Sequence, residues 1–364
     1  FFRPDGKTQV TVEYEDDKAV KILERLKDEF STPSSGFIKL NKDYSGNGNS
    51  GISIDKSLTI NGQGHTIDCA NLNDTYLFKS TNGKITLENL IIKNNKNSQF
   101  NYGTIYIKDN AQYTINNCTF IGNTAGSGGA IYNGVKEYQL TIINSKFIKN
   151  VASNNDGGAI YSRGDVAIEN SYFEGNKALI DGGAVYGAKS IDVINTKFVS
   201  NKLSNISIFK SYGGAIGSKG IVTVENSQFS DNVAFEYGGA IFSYSNVLIK
   251  NSSFSKNSAN VGGAVYVDSS NTVILSSTFF DNAAKSGDGG AVYSSKWMHI
   301  ENSTFLRNTA NAKGGAVYTN YVQFGQNVFF INNTAKDHGG AVYTDYISNN
   351  VCNINFHGNK VTAD

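Results

Sequence analysis

Residues Phe305 to Tyr318 read FLRNTANAKGGAVY, and most of the chain is this stretch written again. Near copies start at Phe120, Phe147, Phe173, Phe198, Phe229, Phe254, Phe279 and Phe330, with a partial one at Phe356, so the period is about 25 residues. An even period of that length marks a solenoid, in which one unit cannot bury its apolar side alone and stacked neighbours must do it. Within one period, Ile221 to Phe229 (IVTVENSQF) alternates Val222 and Val224 with Thr223 and Glu225, the two-residue rhythm of a half-buried strand. Asn226-Ser227 then bends the chain, a strand begins at Phe229, Asn232 ends it, and a variable loop leads to a third strand-like piece, Gly238 to Phe242. Three short strands and three bends per period leave no room for a helix hairpin. The closed solution is all-β, a right-handed parallel β-helix with coils about 4.8 Å apart.

Stacked coils place each residue above its counterpart one turn earlier. Phe120, Phe147, Phe173, Phe198, Phe229, Phe254, Phe279, Phe305 and Phe330 are therefore expected to form an apolar column, each ring contributing roughly 1.5–3 kcal/mol by burial. The asparagines three residues later, Asn123, Asn150, Asn176, Asn201, Asn232, Asn257, Asn282, Asn308 and Asn333, continuing to Asn359, are expected to form an amide ladder along the axis. A second ladder is expected through Asn117, Asn144, Asn170, Asn195, Asn226, Asn251, Asn302, Asn327 and Asn353, interrupted by Ser276. Asparagine also tolerates the left-handed backbone of a tight bend, so one residue type serves two needs. The Gly-Gly pair marks a bend that a side chain would obstruct.

Nine GGA motifs interleave with ten FxxN motifs from Phe120 to Asn359. This pairing resembles the repeat of the chlamydial polymorphic outer-membrane proteins and of adhesin-like surface proteins of methanogenic archaea. The chain is also similar to the second group around Gly51 to Asp68 (GISIDKSLTINGQGHTID) and in its abundance of Asn, Lys and Tyr. The resemblance implies an extracellular, surface-displayed β-helix used for attachment to cell-surface glycans or proteins.

Repeats make one elongated domain a better count for 364 residues than two or three globular ones. A net charge of +1 with no basic run argues against a nucleic-acid partner. No apolar run approaches the roughly 20 residues of a membrane-spanning helix. Cys69, Cys118 and Cys352 lie far apart with no CxxC pair, which argues against a zinc site and a disulfide framework. The chain starts without Met and stops inside a repeat, and we read it as a segment whose anchor lies elsewhere.

Residues 1–35 are expected to form a short strand, Thr8 to Tyr14, and a helix over Lys18 to Phe30 capped by Asp16 and Asp17. That helix is the expected lid on the first coil, since an open end exposes core and unpaired backbone. Residues 36–113 are expected to hold irregular first coils, and 114–364 the strict repeats. On the order of a dozen coils follow, a rod of roughly 60 Å.

Enzyme chemistry on this scaffold requires carboxylates converging from adjacent coils. The residue before each Gly-Gly pair is Ser127, Asp156, Asp181, Tyr212, Tyr237, Val261, Asp288, Lys313 and His338 in turn. Asp156 and Asp181 are neighbours in this column, and Asp-Gly is itself a favoured turn pair, so the expected role is that of solvated turn-formers. His65, His299, His338 and His357 show no metal-ligand spacing, and His65 is expected to make a local hydrogen bond. No catalytic residue, cofactor or metal is expected.

The longest inter-strand loop, KLSNISIFKSY, precedes Gly213, and insertions in a solenoid leave the stack as loops on one side. It carries Phe209 and Tyr212, and the next coil's loop carries Phe235 and Tyr237. Four rings there form a candidate patch for sugar stacking or protein contact, if the phenylalanines do not fold back over their own base. A second candidate is the column Tyr132, Tyr161, Tyr186, Phe242, Tyr266, Tyr293, Tyr318 and Tyr343, broken by Gly217, which is expected to face outward and chiefly to stabilise the wall. Among six sequons, at Asn73, Asn117, Asn205, Asn251, Asn302 and Asn332, the acceptor expected for a glycan is Asn205 in the inserted loop. The favoured function is a non-catalytic adhesin or envelope rod. A pectate-lyase-like carbohydrate enzyme and a structural or viral fibre segment are the alternatives.

Overall fold

A computed structural model describes residues 21–22, 36–46, 51–72, 75–97, 102–204, 211–348 and 353–363. Alternating residues put one apolar side chain in and the next out along each strand, and every strand pairing given is parallel, joining one coil to the next. The result is a right-handed parallel β-solenoid of about 12 turns.

Three strips of sheet run along it. The first has 14 strands and carries the phenylalanine column. In it Tyr44, Ile67, Ile92 and Phe120 stand in register, and Phe120 continues through Phe147 to Phe356. The strict repeat thus takes over a column that aliphatic residues and one tyrosine began. From Phe120 to Phe330 the ring centroids are 4.7–5.0 Å apart and nearly coplanar, and every ring is fully buried.

The second strip is wide. Each turn contributes two strands to it, such as Ile160–Ser162 and Val166–Glu169. In the turns Phe78–Glu88, Ile105–Asn116, Val292–Glu301 and Val317–Phe324 the two fuse into one long strand. The third strip is narrow and appears as two five-stranded pieces, from Lys96–Asn97 to Lys202–Leu203 and from Ser258–Ala259 to Lys360–Val361. Val233 alone bridges the two, pairing with Lys202 on one side and Ser258 on the other.

The two asparagine columns differ in kind. In the inner one each Nδ2 donates to Oδ1 of the asparagine one coil on, at 2.9–3.0 Å, and to the main-chain oxygen of the phenylalanine one coil back, or of Ile92 in the case of Asn123. That same Oδ1 accepts the backbone N–H as well, at 2.9–3.1 Å. Asn123 to Asn333 are fully buried, so these bonds satisfy groups that would otherwise be stranded away from water. The outer column is not a continuous amide ladder. Asn117 to Asn353 are exposed with φ between +48° and +57°, and axial amide pairs occur only at scattered places such as Asn117 to Asn89 and Asn353 to Asn327. Asparagine's two talents are therefore divided between two columns. A third polar column stands beside the outer one: Ser145, Ser171, Thr196, Ser227, Ser252, Ser277 and Ser303 each accept the N–H of the residue one coil back through their hydroxyl oxygen.

The glycine pair also divides its labour. The first glycine has φ between +55° and +73°, and the second is packed so tightly that a Cβ would run into the next coil's carbonyl oxygen. The alanine after the pair is buried at the corner, which explains its constancy across all nine motifs.

The expected capping helix is not supported. Lys21–Ile22 form an extended strand paired in parallel with Tyr44–Ser45, and the rest of Lys18 to Phe30, with Thr8 to Tyr14, lies outside the described residues. Cys69 and Cys118 are buried free thiols, and Cys352 lies outside the described residues.

Candidate functional site

The outer side of the wide strip concentrates the aromatic residues. Inward Ile or Val alternates with outward Tyr, and parallel register stacks these rings. The pairs Tyr132–Tyr161, Tyr161–Tyr186, Tyr266–Tyr293, Tyr293–Tyr318 and Tyr318–Tyr343 have centroids 4.6–5.3 Å apart with nearly parallel planes. Tyr106 extends the column one turn earlier, edge-on to Tyr132, and Tyr102 stacks on Tyr106 at 4.3 Å. Because ring faces cover ring faces, most of the column offers solvent only ring edges and hydroxyls. Desolvation is the chief cause that pushes the phenols of Tyr186, Tyr266 and Tyr293 above their ordinary range, Tyr293 to about 12.

Gly217 breaks this column, and the residues before the Gly-Gly pair repair it. Tyr212 and Tyr237 stack on each other at 5.3 Å. Tyr212 also stacks on Phe242 at 4.5 Å, and Tyr237 on Tyr266 at 4.5 Å. Tyr212 and Tyr237 of the first candidate site thus join the second column, Tyr212 stacking against Phe242 where Gly217 supplies no ring. A Cβ on Gly217 would crowd the backbone of Gly182 and the Cβ of Asp181. Phe235 is half-buried and makes no ring contact among the described residues, while Phe209 and Asn205 lie outside them.

Tyr244, in the loop following Phe242, carries no repeat signal and escaped the reading of the sequence. It is 43% exposed and stands at 87° to both Phe242 (4.7 Å) and Tyr212 (6.4 Å). A tyrosine in a bend beside a broken column was the available clue.

Asp156 and Asp181 sit beneath this wall. Asp156 Oδ1 accepts the N–H of Asp181, and Asp181 Oδ1 accepts the N–H of Tyr212, so the carboxyls run up the stack as the Asp288 carboxyl does toward Lys313. They form the turns expected of them, but half-buried where solvated carboxyls were expected. Desolvation by burial raises Asp156 to about 6, and burial together with the Asp156 charge raises Asp181 to about 8. Lys219 lies close enough to oppose both shifts. No group of three or more His, Cys, Asp or Glu side chains able to hold a metal occurs among the described residues. His65 Nδ1 lies 3.2 Å from Asp43 Oδ1, a partner 22 residues earlier in place of the bond within its own turn that was expected, and Lys313 Nζ sits 4.5 Å from the Tyr343 ring centre.

The sequons at Asn117, Asn251, Asn302 and Asn332 are exposed at left-handed bends, so burial of the outer column does not bar a glycan from them.

The chain belongs to the right-handed β-helix family: the family described as the right handed beta helix region matches residues 160–323 and 195–361, together more than half of the chain. Residues 17–126 are similar to a second family, described as a putative pectate lyase-like adhesive domain. No curated protein matches the chain at a significant level. Among solved structures, the catalytic unit of a thermostable GH87 alpha-1,3-glucanase from Streptomyces thermodiastaticus strain HF3-3 is similar over 93% of this chain, with 12% identity and a TM-score of 0.49. The chain spans 65% of that structure.

Proposed function

We propose that this chain is the non-catalytic shaft of a surface-displayed adhesin, extracellular, attaching to glycans or proteins of a host or neighbouring cell. The observation that carries this reading is the likeness of residues 17–126 to a pectate lyase-like adhesive domain, continuous with a rod that presents the same aromatic edge at turn after turn. A repeated surface suits many weak, simultaneous contacts with a repetitive polymer or cell surface, where linked sites raise overall avidity without any single tight pocket. The resemblance of the FxxN and GGA repeats to those of methanogen adhesin-like and chlamydial surface proteins supports the same reading.

A carbohydrate enzyme is the second reading, favoured by the adjacent Asp156 and Asp181 carboxyls with raised proton affinity. Against it, both use Oδ1 on the backbone of the next coil and so point along the rod. The deciding experiment pairs retention of the fluorescently labelled chain on whole cells and immobilised polysaccharides with an assay for reducing ends and unsaturated products. Retention without product supports the adhesin. Product that disappears in Asp156→Asn or Asp181→Asn would replace it with the enzyme.

A further inference from the structure

We infer that the outward face of Tyr244 is a stacking platform for one pyranose ring of a neutral glycan. This rests on the adhesive reading above and assigns it a ligand class and a place.

The orientation of the ring carries the argument. Phe242 is sandwiched between Tyr212 at 4.5 Å and Tyr266 at 5.5 Å, so both of its faces are taken. A ring 4.7 Å away at 87° can then meet only its edge, and Tyr244 must lay one of its own faces over that edge. The other face is turned to solvent, consistent with 43% exposure beside a Phe242 that is only 2% exposed. Along the wall most other rings are covered face to face by a neighbour, whereas Tyr244 lies flat on the side of the rod. Rings held flat at a surface bind the apolar C–H face of a sugar, while hydroxyl partners around them fix its orientation.

Such partners surround Tyr244. Lys219, Tyr244 and Asp268 occupy the same position on three successive turns, because Ser218, Ser243 and Val267 pair in register immediately before them. Tyr212 meets Tyr244 crosswise at 6.4 Å, and Asp181 and Asp268 lie near enough to act on the Tyr244 phenol. Lys219 and Asp268 thus stand on the turns before and after Tyr244, a donor and an acceptor for sugar hydroxyls along the rod. Lys219 and Asp268 balance in charge and Asp181 keeps its proton up to about pH 8, so no net positive charge draws a polyuronate to the ring and a neutral sugar is favoured. A folded protein partner fits less well, because a specific interface covers about 800 Å² per partner and this platform is one ring among charged side chains.

Binding of neutral gluco-, manno- and galacto-oligosaccharides and of oligogalacturonates to the whole chain is measured by ligand-observed NMR and calorimetry. The variants are Tyr244→Ala, Tyr244→Trp and a double variant of the exposed neighbours, Ile221→Ser with Leu248→Ser. Circular dichroism checks that each is folded. The expected result is binding of at least one neutral series, weakened about tenfold or more by Tyr244→Ala, kept within about threefold by Tyr244→Trp and by the double variant, with oligogalacturonate weaker still. Unchanged binding in Tyr244→Ala, preference for oligogalacturonate, absence of neutral-sugar binding, or loss in the double variant alone overturns the platform. Cell attachment measured in parallel separates the two claims: attachment that survives Tyr244→Ala refutes the platform and leaves the adhesin, whereas a wild-type chain that attaches to nothing refutes the adhesin itself.

Discussion

Replacing Asn232 by Ala tests how much one rung of the inner ladder contributes. Asn232 is fully buried, and its side chain makes four hydrogen bonds: Nδ2 to Asn257 Oδ1 (3.0 Å), Nδ2 to the Phe198 oxygen (2.9 Å), and Oδ1 from both N–H (3.0 Å) and Nδ2 (3.0 Å) of Asn201. Truncation leaves the Asn201 N–H and one Asn201 amide hydrogen without partners in a dry interior, and takes from the Phe198 oxygen one of its two donors, the other being the ladder N–H of Ser230. At roughly 1–3 kcal/mol per stranded group, less what an entering water recovers, the loss is about 2–5 kcal/mol. Asn226→Ala removes an exposed side chain whose service is to hold φ at +51°, and costs only about 1–2 kcal/mol of backbone strain. Asn226→Gly is expected to be close to neutral. Long stacks need not unfold as one unit, so the assay is native-state hydrogen exchange read at the amides of Asn201, Asn232 and Asn257. Protection should collapse at those three amides in Asn232→Ala and persist in Asn226→Ala. Equal losses in the two variants would refute the division of labour between the columns.

Two further outcomes follow from the same geometry. Asp156 and Asp181 hold protons in the folded state that the unfolded chain releases near pH 4, so stability is greatest at low pH and falls as pH rises toward about 6 and about 8, then levels off. Thermal unfolding should show this slope, on the order of a few kcal/mol in all, and Asp181→Asn, which keeps an oxygen for the Tyr212 N–H, should flatten most of it. A slope unchanged by that substitution would contradict the raised proton affinity. Gly239→Ala should cost about 3 kcal/mol because its Cβ would meet backbone atoms of Gly263 and Ser258, whereas Gly64→Ala, with φ of +84° but open space around it, should cost about 1 kcal/mol in denaturant titrations. Equal costs would mean that the second glycine of the pair is not a close-approach position.

The sequence exposed the columns because stacking makes like follow like. Phe120 to Phe330 and Asn123 to Asn333 could be read as ladders from spacing alone, and the outward turn of the tyrosines followed from strand alternation. Spacing carries no information about depth, so the outer asparagines were indistinguishable from the inner ones until the backbone showed them exposed at positive φ. Helical spacing over Lys18 to Phe30 is likewise no guarantee of a helix: Lys21–Ile22 pair as a strand, and the rest of that stretch lies outside the described residues. The wall around Tyr212 and Tyr244 was only half legible. Gly217 announced a gap, but its filling by Tyr212 and the crosswise Tyr244 depend on contacts between turns 25 to 30 residues apart.

The one-above-another register is tested most directly by pulsed electron-electron distance measurement between spin labels on a single outward column, with Cys69, Cys118 and Cys352 replaced by Ser. Thr141, Ala167, Asp192, Thr223, Leu248, Val273, His299 and Gln323 stand in that order on successive turns. Label pairs at Thr141 with Val273 and Thr141 with Gln323 span five and seven turns of this column, so their separations should be about 24 Å and about 34 Å at ~4.8 Å per turn. Separations that fail to grow by that increment, or that scatter broadly, would contradict a register-stacked rod and everything built upon it.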